Sequence, residues 1–268
     1  MKSLIEILNS HIRYRRQILK MAKADIVKTY KGAALGWAWA FLQPAILIGV
    51  YYFALSVGLR KGTHYGDYSS FLWLVAGVVP WFYMREMWSG GAGSITHYGY
   101  LVTKIKFPVA IIPTFGSLAK LIVHLVLMIL ILIIYMIDGH MPDAYWLQLP
   151  LYTLMMFIFF TTWSLFAGLL SVVSRDFMHL VKSSTMALFW VSGIIYNVRS
   201  IGDRFICKIM LFNPLTVVAD GYRNSLIYKE WFWEHWVEMR NFAIVYAVLF
   251  GLTLFVYKRL IKTVPDLL

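Results

Sequence analysis

Lys120 and His124 stand four residues apart in an otherwise apolar run of the chain, a spacing that puts both on one face of a helix. Ionisable side chains are costly inside lipid, so a pair at that depth marks a pathway or a partnered site. Glu86, toward one end of the preceding apolar run, is placed to reach Lys120. Two chemistries fit: a structural ion pair, or contact with a substrate passing between helices. A proton relay fits poorly, because no acidic residue lies deep in an apolar run.

The chemistry that is missing narrows the field. There is no Gly-x-x-x-x-Gly-Lys-Ser/Thr loop for nucleotide phosphates, no His-Glu-x-x-His and no Cys-x-x-Cys pair. A nucleophile with a paired base is not discernible, so no catalytic or metal-binding residues are assigned. Cys207 is the single cysteine, which excludes an internal disulfide. Aromatic residues make up 17% of the chain. Trp37, Trp39, Tyr51 and Tyr196 join Lys120 and His124 as candidates for lining a path, since sugar C–H faces stack on aromatic rings. Packing or a lipid-facing belt is the alternative for each of them.

The elements that must hold these residues are membrane spans. The chain has 268 residues, a mean hydropathy of +0.67, 60% hydrophobic residues and 14% charged ones. Soluble domains carry roughly 25% charge, so this is an all-α polytopic membrane protein. From Gly32 to Leu59 there is no charged residue, a run longer than the ~20 residues needed to cross the hydrocarbon core. Six spans are predicted, at 33–59, 68–90, 107–137, 147–173, 177–197 and 241–257. The net charge of +12 reads as a positive-inside bias and attraction to anionic lipid rather than to nucleic acid. With the N-terminus inside, fifteen Lys and Arg fall on the cytoplasmic side and eight outside, Arg199 and Arg223 among the latter. Both termini are therefore expected in the cytoplasm. The charged first 31 residues have no apolar core of a cleavable signal.

Residues 1–31 read as an amphipathic interface helix. Leu4, Leu8, Ile12, Leu19 and Ile26 are expected to share an apolar face, with Arg13, Arg16, Lys20 and Lys23 beside it. A plain orientation signal is the alternative. After the second span, glycines 90, 91 and 93 are expected to end the helix and Ser94 to cap a short one running to Lys106. Its aromatic and basic residues suit docking into a partner's groove; an ordinary surface loop is the bland alternative. The stretch 198–240 is too broken to span. It reads as two half-buried helices at the outer boundary, separated at Asn213-Pro214, followed by a Trp231…Trp236 belt.

Several motifs occur together in a fixed order. They are Tyr30-Lys31…Leu35-Gly36-Trp37-Ala38-Trp39…Gln43-Pro44, Tyr100-Leu101…Lys104-Ile105-Lys106-Phe107-Pro108…Pro113, Ser174-Arg175-Asp176, Phe212-Asn213-Pro214, Tyr222-Arg223-Asn224-Ser225 and Trp231…His235-Trp236. On these residues the chain resembles the membrane subunit of type-2 ABC exporters for lipid-linked cell-surface polysaccharides. Within that family it looks most like those that translocate wall teichoic acid. O-antigen or capsule export is the alternative, and a drug permease of the same fold or a membrane-embedded transferase is further off.

The resemblance implies a multi-pass protein of the plasma membrane in which residues 32–268 form a six-helix transmembrane domain. Two copies would pair, with two ABC ATPase subunits carrying the ATP and Mg²⁺; this chain would hold no cofactor. The 94–106 segment would be the coupling helix, with Ser94, His97, Tyr98, Tyr100, Lys104 and Lys106 facing the ATPase, and Arg175 and Asp176 a second contact. Two short re-entrant helices over 198–230 would close the outer end. The substrate would be a polyprenyl-diphosphate-linked polymer, drawn by Arg13, Arg15, Arg16 and Lys20 at the cytoplasmic rim. One departure stands out: many relatives carry a proline near the end of span five, where this chain has Ser192-Gly193-Ile194-Ile195-Tyr196-Asn197, with Gly193 as the candidate break.

Overall fold

The computed structural model describes residues 2–32, 34–54, 66–202 and 204–268, without the side chains of Lys2, Tyr30, Trp37 and Arg204. The last residues of the first predicted span, 55–59, and the loop cations Arg60 and Lys61 lie outside the described residues. Helices account for nearly all of what is described, with no strand among those residues. Six long helices fall on the six predicted segments: α3 (Trp39–Phe53), α4 (Ser70–His97), α6 (Ile112–Ile137), α7 (Leu149–Val173), α8 (Arg175–Val191) and α11 (Trp236–Leu260). Around them are α1 (Lys2–Arg13), α2 (Arg15–Tyr30), α5 (Gly99–Ile105), α9 (Arg204–Met210), α10 (Pro214–Arg223) and α12 (Val264–Leu267). Three segments are long and apolar enough to cross a bilayer on their own terms: Val109–Ile137, Ala144–Val173 and Phe232–Leu260.

α4 is the axis of the bundle, packed by α3, α6, α7, α8 and α10. Residues Leu72 through Met84 are buried without interruption. A helix enclosed by protein need not be as apolar as one facing lipid, so α4 tolerates Pro80, Arg85, Glu86 and a run of Gly and Ser. Its start is capped by Ser69, whose hydroxyl accepts from the Leu72 amide at 3.3 Å. Its second half lies close against α7. A Cβ on Gly91 would stand 2.0 Å from the Ser164 hydroxyl, so only glycine permits this approach, the small-residue mode by which membrane helices pack. Trp88 and Trp163 stack beside that contact, with ring centroids 3.9 Å apart and planes 5° from parallel.

This packing revises the expected end of the second span. Gly90, Gly91 and Gly93 do not terminate it; α4 runs on to His97. Ser94 caps nothing, and its hydroxyl donates back to the Gly91 carbonyl at 2.7 Å. The N-terminal arm is also two helices, broken at Tyr14, rather than one. Its apolar residues split accordingly. Leu8, Ile12 and Leu19 are exposed, while Ile18, Ala22 and Ile26 are buried against α6.

At the opposite end of α4, α10 begins on a capped proline, with Asn213 accepting from the Leu215 amide at 3.0 Å and Pro214 in the first turn. It is buried nearly all round rather than half-buried. Arg223, counted among the outer-side cations of a half-buried helix, is fully buried. Its guanidinium donates to the carbonyls of Gly193 (2.9 Å) and Ile194 (2.5 Å) and to Asp220 (3.1 Å), and lies 3.6 Å from the centre of the Trp73 ring. Gly193, at φ +63°, turns the chain after α8 so that those carbonyls point inward. It takes the place of the absent proline as the break.

Gly77 leaves the space that Arg223 fills: an added Cβ would lie 2.3 Å from Nη2 and 2.8 Å from the Ile194 carbonyl oxygen. Gly77→Ala is therefore expected to destabilise by about 1–3 kcal/mol. Gly116→Ala, where a Cβ meets nothing within 4 Å, is expected to be neutral or slightly stabilising. Thermal unfolding of the two detergent-solubilised variants checks this; equal midpoints would remove Arg223 as the constraint on Gly77.

Candidate functional site

Two clusters gather the expected functional residues. The first is the corner between α4 and α5. Tyr98, at φ −102° and ψ 20°, separates the two helices. α5 then presents one face to the interior through Leu101 and Val102, and leaves Tyr100, Thr103, Lys104 and Ile105 exposed, with His97 and Lys106 at its two ends. Lys106 closes α5 in the left-handed conformation (φ 54°), and the Phe107 amide bonds back to the Leu101 carbonyl at 2.9 Å, the helix-ending pattern usually given to glycine. The short helix of this segment is thus α5, Gly99–Ile105, and residues 94–97 belong to α4 rather than to one helix running over 94–106.

Beside it, Ser174 caps α8, its hydroxyl accepting from the Phe177 amide at 3.3 Å. Arg175 and Asp176 follow as exposed residues of the first turn, where the Asp carboxylate complements the helix dipole. Met178 of α8 sits under Gly93 of α4, so both contacts expected for a partner lie at one end of the bundle.

The same corner holds the N-terminal arm. The Tyr98 hydroxyl donates to the Asp25 carboxylate of α2, and its ring packs edge-on against Phe115 of α6 at 4.9 Å. Burial, and then the Asp25 carboxylate, hold the Tyr98 pKa above the ordinary tyrosine value. The hydroxyl therefore remains a donor at neutral pH.

The second cluster is a cavity of about 140 Å³ bounded by α2, α3, α4 and α6. Trp39, Lys120 and His124 all line it, together with Thr29, Gln43, Arg85 and Glu86. Lys120 Nζ lies 3.5 Å from one Glu86 oxygen, and Arg85 lies 3.5 Å from the other. The expected reach of Glu86 to Lys120 is present. Pro44 cannot donate to the Ala40 carbonyl, and both residues line the same wall. His124 is deeper, its Nε2 2.8 Å from the Tyr222 hydroxyl, which also meets Thr153 at 2.6 Å. That chain of polar groups continues the cavity toward α10.

Other expected path residues lie apart from this cavity. Tyr51 stacks on Phe189 at 5.2 Å, and Tyr196 donates to the Trp190 carbonyl at the end of α8. The Trp37 side chain lies outside the described residues. Arg13, Arg15, Arg16 and Lys20 are exposed on the arm. Sequence reasoning missed Arg85 as a partner of Glu86 and Arg223 as a buried anchor. The i, i+3 spacing of Asp220 and Arg223 was the available signal for the second.

Chemically, the corner can dock a partner and the cavity can bind an anion. Among the described residues, no group of three His, Cys, Asp or Glu side chains could hold a metal ion. Comparison with known proteins agrees with an integral membrane subunit. The family model for the ABC-2 type transporter matches residues 16–227. The chain is 24% identical over 221 residues to the O-antigen export system permease protein RfbA of Myxococcus xanthus, spanning 82% of this chain and 84% of that one. It is 22% identical over 239 residues to a Klebsiella pneumoniae protein of the same name, spanning 89% and 90%.

Tyr98→Phe keeps the ring packing and removes only the bond to Asp25. Hydrogen bonds to charged groups contribute about 1.5–3 kcal/mol. Amide exchange over residues 20–30 is therefore expected to accelerate by about tenfold, with α6 unchanged. A raised tyrosine pKa means the bond's contribution is complete below the ordinary value of about 10 and is lost as pH rises beyond it. Once corrected for intrinsic rates, wild-type protection over 20–30 should hold steady from about pH 7 to 9. Wild-type-like exchange in the variant would show that the tie does not hold the arm.

Proposed function

This chain belongs to the ABC-2 type transporter family, and we propose that it is the membrane subunit of an ATP-driven exporter moving a polyprenyl-diphosphate-linked surface polysaccharide from the inner to the outer leaflet of the plasma membrane. Members of this family normally work with an ATPase partner. The observation that carries the reading is the exposed α5 corner on a chain that matches O-antigen export permeases over most of its length. Polysaccharide of the O-antigen class is the favoured cargo. Teichoic acid is the second reading, supported by the Lys104-Ile105-Lys106-Phe107-Pro108 and Trp231…His235-Trp236 stretches.

In this reading the six long helices cross the membrane with both termini in the cytoplasm, and two copies pair around the path. His97, Tyr100, Lys104 and Ile105 enter the ATPase groove, with Arg175 and Asp176 as a second contact. Tyr100 and Ile105 are 48% and 62% exposed, large apolar side chains available as anchors. Ile5, Leu8 and Ile12 make an exposed apolar stripe on α1, suited to the acyl boundary, while Arg13, Arg15, Arg16 and Lys20 face the headgroups. The anionic diphosphate is drawn to that basic rim. The α9–α10 pair closes the outer end as the re-entrant element.

Exchange of Tyr100 and Ile105 for Ala is expected to lower co-purification of the ATPase and to cut ATP-dependent export by about tenfold or more, the scale of losing two buried anchors. The protein's own unfolding midpoint should not change. Cells lacking the chain should accumulate lipid-linked polymer on the inner leaflet. Sugar repeats without polyol phosphate in that material would identify the O-antigen class, and polyol phosphate would identify teichoic acid. No accumulated polymer of either kind would end the export reading.

A further inference from the structure

Arg85 and Glu86 are shared by two adjoining hollows, one toward α6 and one toward α8. One is the cavity that holds Lys120. The other is an open groove of about 420 Å³ toward α8, lined by Ser89, Gly90, Lys182 and Thr185. Three cations thus surround one carboxylate. Lys182 is exposed and has no ion-pair partner among the described residues. Both contacts of Glu86 are 3.5 Å, looser than the 2.7–2.9 Å of a strong charge-assisted bond. Along their helices, Glu86, Lys120 and Lys182 lie about 17, 12 and 10 Å inward from the α5 end at 1.5 Å per residue. With the α5 end at the membrane surface, as the export reading has it, that depth lies near the boundary between headgroups and acyl chains. An excess of positive charge there is costly unless an anion balances it.

We infer that this groove is a binding site for a phosphate or diphosphate group, with Glu86 as the internal counter-ion that the ligand displaces. The anion lies beside Arg85 and Glu86, where the groove adjoins the cavity; Lys120 approaches it from α6 and Lys182 from α8, and Gln43 and Thr29 offer hydrogen bonds from α3 and α2. The assignment to the headgroup of a lipid-linked cargo rests on the export reading above. The recognition of phosphate rests on the cations alone. Glu86 acts as a selectivity element, since a singly charged or neutral headgroup replaces its two contacts less well than a diphosphate with more oxygens and more charge.

The test is equilibrium binding to the complete complex in phosphatidylcholine nanodiscs, using farnesyl diphosphate, farnesol and inorganic diphosphate as probes. Lys120→Gln and Lys182→Gln should each weaken farnesyl diphosphate by about tenfold, the loss of one charge-assisted bond. Glu86→Gln should tighten it several-fold, and farnesol should not compete. Lys182 is exposed and has no ion pair among the described residues, so its variant reads binding with little risk to the fold. Competition by inorganic diphosphate that depends on Lys120 assigns the site to free phosphate as well. Failure to compete restricts it to a lipid headgroup. Wild-type affinity in both lysine variants, or weakening by Glu86→Gln, overturns the site while leaving the export reading intact. No farnesyl diphosphate binding by the wild-type complex overturns both.

Discussion

The buried guanidinium of Arg223 sets the terms for one end of the molecule. A charge removed from water needs polar partners, and here three separate elements supply them. Two carbonyls come from the turn after α8, a carboxylate comes from α10 itself, and an aromatic face comes from α4. Each donor of structure is fixed by the same ion. Gly193 must adopt positive φ to aim its carbonyl, Gly77 must lack a side chain, and Trp73 must lie flat beneath the guanidinium. The absent span-five proline is explained on the same grounds, since a turn that already contains a left-handed glycine needs no second breaker.

From that anchor α4 passes through two distinct cores. Around its first half, large side chains from α6, α7 and α10 close over it. Toward α5 the neighbours change to α2, the start of α6 and the end of α11, with Tyr98, Phe115 and Tyr257 at the centre. Between the two cores the α4–α7 contact narrows to Gly, Ala and Ser. In lipid, where burial of apolar surface gives helices little reason to associate, such close backbone approach supplies the dispersion contacts that hold the pair.

Much of this was legible in the chain and some was not. Long charge-free runs disclose helices directly, because lipid imposes one composition on whatever faces it. The Ser174 cap, the Asn213-Pro214 start and the reach of Glu86 to Lys120 were equally readable, since each depends on neighbours within one or two helical turns or on matching depth. What misled was residue type without its tertiary contact. Gly90, Gly91 and Gly93 look like a terminus until Ser164 is placed against Gly91. Arg223 looks like a cation at the outer surface of a half-buried helix until two carbonyls from about thirty residues earlier are found around it. The N-terminal arm was read as one amphipathic face because Leu19 and Ile26 fit a period, but of the two only Ile26 is buried, and the arm is divided into two helices at Tyr14. The cavity itself has no signature at all in sequence, as its walls come from four helices.

The two functional clusters are not independent, because α2 touches both. Thr29 lines the cavity with Lys120, and Asp25, about one turn earlier, holds Tyr98 at the α4–α5 corner. Coupling between distant sites needs an element with two arrangements that both sites bias. α2 fits that requirement better than its neighbours. It buries only Ile18, Ala22 and Ile26 on one face, whereas α4 is enclosed along most of its length, and weakly buried elements are the ones that open first. An anion bound beside Thr29 and Lys120, as inferred above, would act on a helix that is also tied to the α4–α5 corner through Asp25 and Tyr98. The rest of the bundle can stay as it is while that one helix reports whether the groove is filled.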